Sequence, residues 1–403
     1  MLSEKSRPYI DASVPVLRDH GLAITQVFYR NMFEAHPELT NLFNMGNQAN
    51  GAQQQSLASA VFAYAANYDN ASALAPVLGR IAHKHAAVGI RSAHYPIVGR
   101  HLLGAVKSVL GEAATPELMA AWDEAYWLLA GELISAEARL YERANSGPDH
   151  RQPMRVVARE DQAQGIVAFT LEPVGGAPAA DFAPGQYISV RVELAAGVFQ
   201  QRQYSLSDAP NGRTWRISVR REHASEAVPA GKVSNWLHDN VRLGDVLMTS
   251  LPYGDFAPVL EGAGPMVLLS AGVGVTPMVS VLNTLAARRS PRKVVFASAA
   301  RSLAHLAHVQ DVARAQAQLP GLSVHWFLES GETAEVAGRT AQPGRMDAAK
   351  LLDAEGGLAQ ADFYLCGPLP FMQAQRQALL ARGVAADRMH REVFGPDLLD
   401  DLL

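Results

Sequence analysis

Ser146-Gly147-Pro148-Asp149-His150 divides the chain into two rhythms. On its amino-terminal side apolar residues recur at intervals of three and four, the period of helices packed on a core. On its carboxyl-terminal side come short alternating runs bounded by Gly and Pro, which read as strands. Val156 to Arg159, Ile166 to Leu171, Tyr187 to Leu194, Gln203 to Leu206 and Trp215 to Arg221 are such runs. In the last of them Trp215, Ile217 and Val219 alternate with Arg216, Ser218 and Arg220, the pattern of a sheet wetted on one face. Several strands in so short a span predict an antiparallel barrel. From Pro265 the rhythm changes again: Met266 to Ser270, Val294 to Phe296, Val324 to Phe327 and Phe363 to Leu365 are apolar runs separated by helical stretches. That pattern predicts a parallel α/β sheet. The expected fold is therefore multidomain: an all-α domain over 1–147, an antiparallel β-barrel over 151–260 and an α/β parallel-sheet domain over 263–403.

Length agrees, since 403 residues predict two to three domains at about 150 residues each. With 48% apolar and 18% charged residues the composition is globular. A net charge of −4 without a basic run lacks the footprint of a nucleic-acid binder, so no nucleic-acid partner is expected. The one cysteine, Cys366, excludes an intrachain disulfide, a Cys-x-x-Cys site and the covalent attachment of c-type haem. Glu4, Lys5 and Arg7 interrupt the first ten residues, so a signal peptide is not expected. The longest apolar stretch, Pro265 to Leu282, is broken by Gly272, Gly274 and Pro277 and suits a strand, a turn and a helix better than a membrane span. A cytoplasmic monomer is the expectation.

Within the helical third, a rotation of about 100° per residue places Leu74, Leu78, Ile81, His85 and Val88 on one stripe, with His83 opposite. In the helix from Leu118 to Tyr141 the same rotation aligns Trp122, Tyr126, Leu129, Leu133, Glu137 and Leu140. A lone histidine in an apolar stripe is more often a satisfied core residue than a ligand. An inward carboxylate must find a donor, be protonated or line a cavity, unless Glu137 snorkels to solvent. A carboxylate accepting the imidazole N–H of a metal-bound histidine would satisfy both residues. A buried His–Glu pair without metal has the same sequence pattern.

Tyr29, Phe43, Gln53, Leu57, His85, Tyr95, Pro96 and Glu137 together stand at the spacing of the globin domain of flavohaemoglobins, and the resemblance covers residues 1 to about 147. It implies that His85 is the proximal iron ligand of haem b, with Glu137 and Tyr95 hydrogen-bonded to it. Phe43 would pack on the porphyrin. Tyr29 would donate a hydrogen bond to the bound oxygen, while Gln53 and Leu57 limit the distal space. Lys84 would lie at the haem edge facing a flavin.

The rest of the chain resembles ferredoxin-reductase-like flavoproteins. Pro184-Gly185-Gln186-Tyr187 precedes Arg202-Gln203-Tyr204-Ser205, an Arg-x-Tyr-Ser motif that supplies a cation for pyrophosphate, a ring against isoalloxazine and a hydroxyl near flavin N5. Gly231-Lys232-Val233-Ser234 opens a helix suited to phosphate. Gly272-Val273-Gly274-Val275-Thr276-Pro277 follows a strand as a pyrophosphate turn, and Cys366-Gly367-Pro368 ends a later strand where that family places the nicotinamide. Cys366 reads as a lining residue, with no helix dipole or cation beside it to make a nucleophile. Glu392-Val393-Phe394-Gly395-Pro396 resembles the flavohaemoglobin ending, whose Phe covers the flavin.

The sequence departs from that pattern in three places: Ala271 for a second Gly, Arg391 for a Tyr, and Ser298-Ala299 for His-Gly. They leave the choice of NADH or NADPH, and the flavin–haem redox poise, open. The resemblance implies a nitric oxide dioxygenase that turns NO and O2 into nitrate with electrons from NADH or NADPH passed through FAD to haem. The rival readings are an oxygen-binding or sensing globin with an attached reductase, and a flavin or ferric reductase whose helical domain holds no haem.

Overall fold

The computed structural model describes residues 1–224, 229–262, 264–358 and 360–395. Helices α1 (Arg7–Ala35), α2 (Met45–Ala49), α3 (Ala52–Asn67), α4 (Ala71–Val88), α5 (His94–Leu110) and α6 (Pro116–Arg143) form the first part. Local chemistry sets their ends. Asn70 accepts the Ala73 N–H to cap α4, and Thr115 with Pro116 starts α6. Gly89 closes α4 with φ +86°, and a Cβ there would also collide with the Pro148 carbonyl. The end of α4 is thereby pressed against the Ser146–His150 segment.

Strands β1 (Gln152–Ala163), β2 (Ile166–Pro173), β3 (Tyr187–Ala195), β4 (Val198–Ser205), β5 (Trp215–Arg220) and, after helix α7 (Lys232–Asn240), β6 (Val246–Thr249) make one antiparallel sheet in the order β4-β3-β6-β1-β2-β5. An antiparallel bridge between Leu206 and Ile217 joins its two edges, which curls it into a barrel around Phe169, Ile188, Leu206, Trp215 and Ile217. β4 starts at Val198 rather than Gln203, because a hairpin through Gly197 at φ +74° pairs Val198 with Ala195. β6 carries too short an alternation to be read from sequence.

The expected wet face of β5 is a further correction. Arg216 and Ser218 are only 8% and 4% exposed, because the last third of the chain packs over them. That third alternates β7 (Met266–Ala271), α8 (Val275–Ala287), β8 (Val294–Ala300), α9 (Val309–Gln318), β9 (Leu322–Leu328), the short β10 (Glu335–Val336), β11 (Arg339–Thr340) and β12 (Gln342–Pro343), α10 (Ala348–Glu355), β13 (Asp362–Cys366), α11 (Leu369–Ala381) and β14 (Met389–Glu392). Its sheet runs β12-β9-β8-β7-β13-β14, and every pair in it is parallel. Apolar side chains cover both faces, Leu268, Phe296 and Trp326 on one and Val267, Val295 and Phe363 on the other. Among the described residues no helix is long and apolar enough to cross a membrane.

Candidate active site

The stripes on α4 and α6 meet. His85 Nδ1 lies 2.7 Å from Glu137 Oε1, and Tyr95 on α5 donates its hydroxyl to the same oxygen at 2.5 Å while standing 3.2 Å from His85 Nδ1. Glu137 is 3% exposed, so it does not reach solvent. Tyr126 donates to the Tyr95 carbonyl at 2.5 Å and braces α5 on α6. Burial, and then the charge of Glu137, push the Tyr95 phenol far above its ordinary pKa, so it stays a donor.

With Nδ1 engaged, Nε2 is the ring atom of His85 left to ligate, and the side chain is 33% exposed. Among the described residues no group of three or more His, Cys, Asp or Glu could hold a bare metal ion. A single free ring nitrogen, outside any such group, would suit a metal already held in a macrocycle. An apolar cavity lined by Thr25, Val61, Tyr64, Leu102, Tyr126 and Leu129 runs between α1, α3, α5 and α6.

Farther along α1 stands Tyr29, buried and set edge-on to Phe43 with ring centres 5.8 Å apart. Phe33, which the sequence reading missed, packs 5.2 Å from Phe43. Burial raises the Tyr29 phenol far above its ordinary pKa, and side-chain hydrogen bonding by Gln53 and Gln48 partly offsets this. Gln48 is held by Gln54, whose Nε2 donates to Gln48 Oε1 at 3.0 Å. Its own Nε2 is buried with no partner at full hydrogen-bond distance among the described residues, so Gln53 is the stronger of the two. Nothing in a single sequence distinguished Gln48 from other helix-start glutamines. Leu57 faces the same apolar cluster from α3.

β4 carries Arg202, Gln203, Tyr204 and Ser205, and β3 opens at Tyr187. Ser205 Oγ and Tyr187 Oη are buried with no partner among the described residues, as expected of atoms awaiting a ligand. Burial lowers the pKa of the Arg202 guanidinium, whose hydrogen bonds among the described residues go to Gln200 Oε1 and the Gln201 carbonyl rather than to a carboxylate. Gln203 is exposed, and its Nε2 donates to Ser189 Oγ at 3.1 Å. Gly231 caps α7, where a Cβ would meet Ser234 Oγ, and Val233 packs into the barrel core. A half-buried cation, orphaned hydroxyls and a close backbone approach together fit a flavin dinucleotide.

This flavin-type strand is tied to the helical part by residues the sequence reading did not single out. Gln201 donates to the Val88 carbonyl at 2.9 Å, three residues past His85, and Gln200 donates to the Thr40 carbonyl at 3.0 Å, just before Phe43. His83 Nδ1 accepts the Gly254 N–H at 2.9 Å, and Arg80 pairs with Asp255 at 3.6 Å. Polar residues just before the Arg-x-Tyr-Ser motif were the available signal.

In the parallel-sheet part Gly272 to Gly274 form a single turn between β7 and α8, closed by Thr276 Oγ1 donating to the Val273 carbonyl at 3.0 Å. A Cβ on Gly274 would overlap the Cys366 carbonyl, so the turn rests directly on the Cys366-Gly367 peptide ahead of Pro368. Glu392 pairs in register with Cys366, and its charge also reaches Tyr187. Lys84 donates to the Gly395 carbonyl at 2.9 Å, which brings the tail after Phe394 back to α4. Pro396 lies outside the described residues.

Burial, and then Glu392, raise the Cys366 thiol well above its ordinary pKa. A raised pKa keeps it neutral at pH 8, where a free thiol of pKa about 8.5 is partly ionised. Iodoacetamide at pH 8 should therefore leave the native chain unlabelled and modify Cys366 fully in denaturant, read by mass spectrometry. Rapid native labelling would contradict the burial.

Family models of the globin family, "Globin", match residues 26–133, and of the "Oxidoreductase NAD-binding domain" residues 268–377. The chain is 50% identical over 408 residues to a "Flavohemoprotein" of Chromobacterium violaceum, covering 100% of both chains. It is 47% identical to one of Rhizobium meliloti, covering 99% of each. Among solved structures it is similar to a flavohemoglobin from Malassezia yamatoensis with bound FAD and heme, at TM-score 0.85 and 32% identity over 98% of this chain and 100% of that one. The FAD/NAD-binding domain of a nitric oxide dioxygenase from Vibrio cholerae matches 61% of this chain and 99% of its own, at TM-score 0.55 and 38% identity.

Proposed function

Because the chain belongs to the flavohaemoprotein family, we propose that it is a nitric oxide dioxygenase, which combines nitric oxide with oxygen to give nitrate at the expense of NADH or NADPH. The observation that carries this reading is the shared anchoring of two sites. Val88, on the helix of His85, accepts from Gln201, beside Arg202 on the flavin-type strand. When bound, FAD and haem b supply the redox chemistry, dividing the electron pair of the nucleotide and delivering single electrons to iron where oxygen and nitric oxide meet.

The residues hold and tune these groups. His85 would offer Nε2 to the iron, while Glu137 accepts its Nδ1–H and would thereby strengthen the imidazole as a donor. Tyr95 holds Glu137 in place. Tyr29, oriented by Gln53, would present its hydroxyl to the haem pocket, with Phe43 and Leu57 excluding water. Lys84 ties α4 to the tail at the junction with the flavin. Tyr187, Arg202, Gln203, Tyr204, Ser205, Gly231, Val233 and Ser234 form the FAD cradle. Gly272, Val273, Gly274, Thr276, Cys366, Gly367 and Pro368 form the nucleotide site, and Glu392, Phe394 and Gly395 close over the flavin. The same reading assigns 1–147 to haem, 151–260 to FAD and 263–403 to the nucleotide, in a cytoplasmic monomer without a nucleic-acid partner.

The deciding experiment is an absorption spectrum of the purified protein, followed by NADPH or NADH under air with and without nitric oxide. The expected result is a Soret band, a flavin band and nitrate formed catalytically. Soret and flavin bands without nitrate turnover would overturn the proposal in favour of an oxygen-binding globin. Tyr29→Phe removes a hydrogen bond to a charged group, about 1.5–3 kcal/mol. Oxygen should then leave about 10- to 100-fold faster, with flavin reduction unchanged. Stopped-flow oxygen release checks this, and an unchanged rate removes Tyr29 from the mechanism.

A further inference from the structure

The face of β5 that carries Arg216, Ser218 and Arg220 looks onto the nucleotide domain, since residues two apart on a strand share a face. A continuous buried polar network starts there. His308 Nε2 lies 2.9 Å from Ser218 Oγ, and His308 Nδ1 lies 2.8 Å from Asp311 Oδ2. Arg216 Nη2 reaches Asp311 Oδ1 at 3.1 Å, Arg314 reaches it at 2.5 Å, and Ser218 Oγ is 2.9 Å from Ser207 Oγ. On α8, Asn283 Nδ2 donates both to Asp208 Oδ1 at 2.8 Å and to Asp311 Oδ1 at 3.0 Å, and Ser280 donates to the Asp208 carbonyl at 2.7 Å. Ser207, Asp208, Arg216 and Ser218 belong to the barrel; the rest belong to α8, α9 and the turn before α9.

The order Ser–His–Asp is that of a hydrolytic triad. Burial excludes that use: His308 is 0% exposed, Asp311 2% and Ser218 4%, so no acyl substrate reaches the hydroxyl. His308 also sits at φ +60°, a conformation uncommon for a residue with a side chain and one that its surroundings must impose. The network has a clear geometric consequence. α8 carries Ser280 and Asn283 and begins directly after the Gly272–Gly274 turn, while Arg220, on the latched face of β5, has Nη1 3.9 Å from where a Cβ of Gly272 would stand. The latch therefore fixes the nucleotide turn against the strand that borders the flavin barrel.

We propose that His308, bridging Ser218 and Asp311, is a positioning residue for hydride transfer from nicotinamide nucleotide to flavin. It sets the distance and angle between the two rings by locking α8 and α9 onto β5. The inference rests on the reading of Gly272–Gly274 as the nucleotide turn and β4 as the flavin strand, and is independent of the haem reaction. In the step concerned a hydride leaves the dihydronicotinamide carbon for flavin N5, so the nucleotide is oxidised and the flavin reduced by two electrons.

The test uses the full-length holoprotein without oxygen, mixed rapidly with NADH or NADPH, whichever reduces the native flavin faster. His308→Asn tolerates the left-handed backbone and can still reach Asp311 but not Ser218. Ser218→Ala removes the other end of the bridge, and Ser218→Thr restores a hydroxyl. Both disrupting variants should lower the limiting flavin-reduction rate by about tenfold or more, because small misalignments of reacting atoms are costly. The apparent Kd of the nucleotide should stay within about twofold, since its own contacts are untouched. The isotope effect with 4-deuterated nucleotide should rise, and Ser218→Thr should recover the rate. Unchanged limiting rate and isotope effect with only a lower Tm would overturn the proposal and leave a structural contact. Should His308→Asn fail to fold, the Ser218→Ala and Ser218→Thr pair decides by the same readouts. A native protein whose flavin neither nucleotide reduces would instead overturn the reading of the nucleotide site, and the latch with it.

Discussion

Gly274→Ala should slow flavin reduction by nicotinamide nucleotide by about 100-fold, the effect expected when reacting groups are displaced by about 1 Å. The added Cβ meets the Cys366 carbonyl and the Gly367 amide nitrogen, which are backbone atoms and cannot swing aside. Either the turn lifts from the end of β13 or β13 moves, and each change separates the turn proposed to hold pyrophosphate from the strand end proposed to hold nicotinamide. The core of the parallel sheet, with Leu268, Phe296 and Trp326 fully buried, should hold the fold together. Soret and flavin absorbance should therefore be normal while anaerobic stopped-flow reduction fails. A native rate in Gly274→Ala would show that the turn has slack the packing does not suggest.

The second large effect is expected at Glu137. Glu137→Gln keeps the size of the side chain and removes its charge, so His85 Nδ1 loses an anionic acceptor. A carboxylate that accepts the N–H of a metal-binding histidine is worth about 10- to 100-fold in metal affinity or activity. The sign of the electronic change is fixed by the chemistry: a weaker donor imidazole stabilises oxidised iron less, so the haem midpoint potential should rise. The iron–imidazole stretch in the resonance Raman spectrum of the ferrous protein should fall with it. Nitrate turnover should drop by about 10- to 100-fold while flavin reduction is spared. Glu137→Leu should do more harm, because it leaves both the imidazole N–H and the Tyr95 hydroxyl buried without an acceptor. An unchanged potential in Glu137→Gln would separate the carboxylate from the iron.

Much of this was legible in order along the chain. The helical period that put His85 and Glu137 on inward stripes is a short-range property of the α-helix, and the two residues do meet at 2.7 Å. Flavin- and nucleotide-type motifs were equally readable, since a turn that needs glycine or a strand that needs Arg, Tyr and Ser is specified within a few residues. What resisted reading was whatever joins distant segments. Gln48, Gln200 and Gln201 look like ordinary polar residues until Tyr29, Thr40 and Val88 are seen beside them.

β5 shows the limit most clearly. Its alternation of Trp215, Ile217 and Val219 with Arg216, Ser218 and Arg220 is the same whether the polar face meets water or another domain. The sequence by itself determined that this face is polar and that the chain changes rhythm at Ser146–His150, and it offered candidate groups for haem, flavin and nucleotide. Only the tertiary structure decided that the polar face is buried, because its partners His308 and Asp311 lie 90 or more residues away. Strand period records which side of a residue is polar, and carries no information about what will cover it.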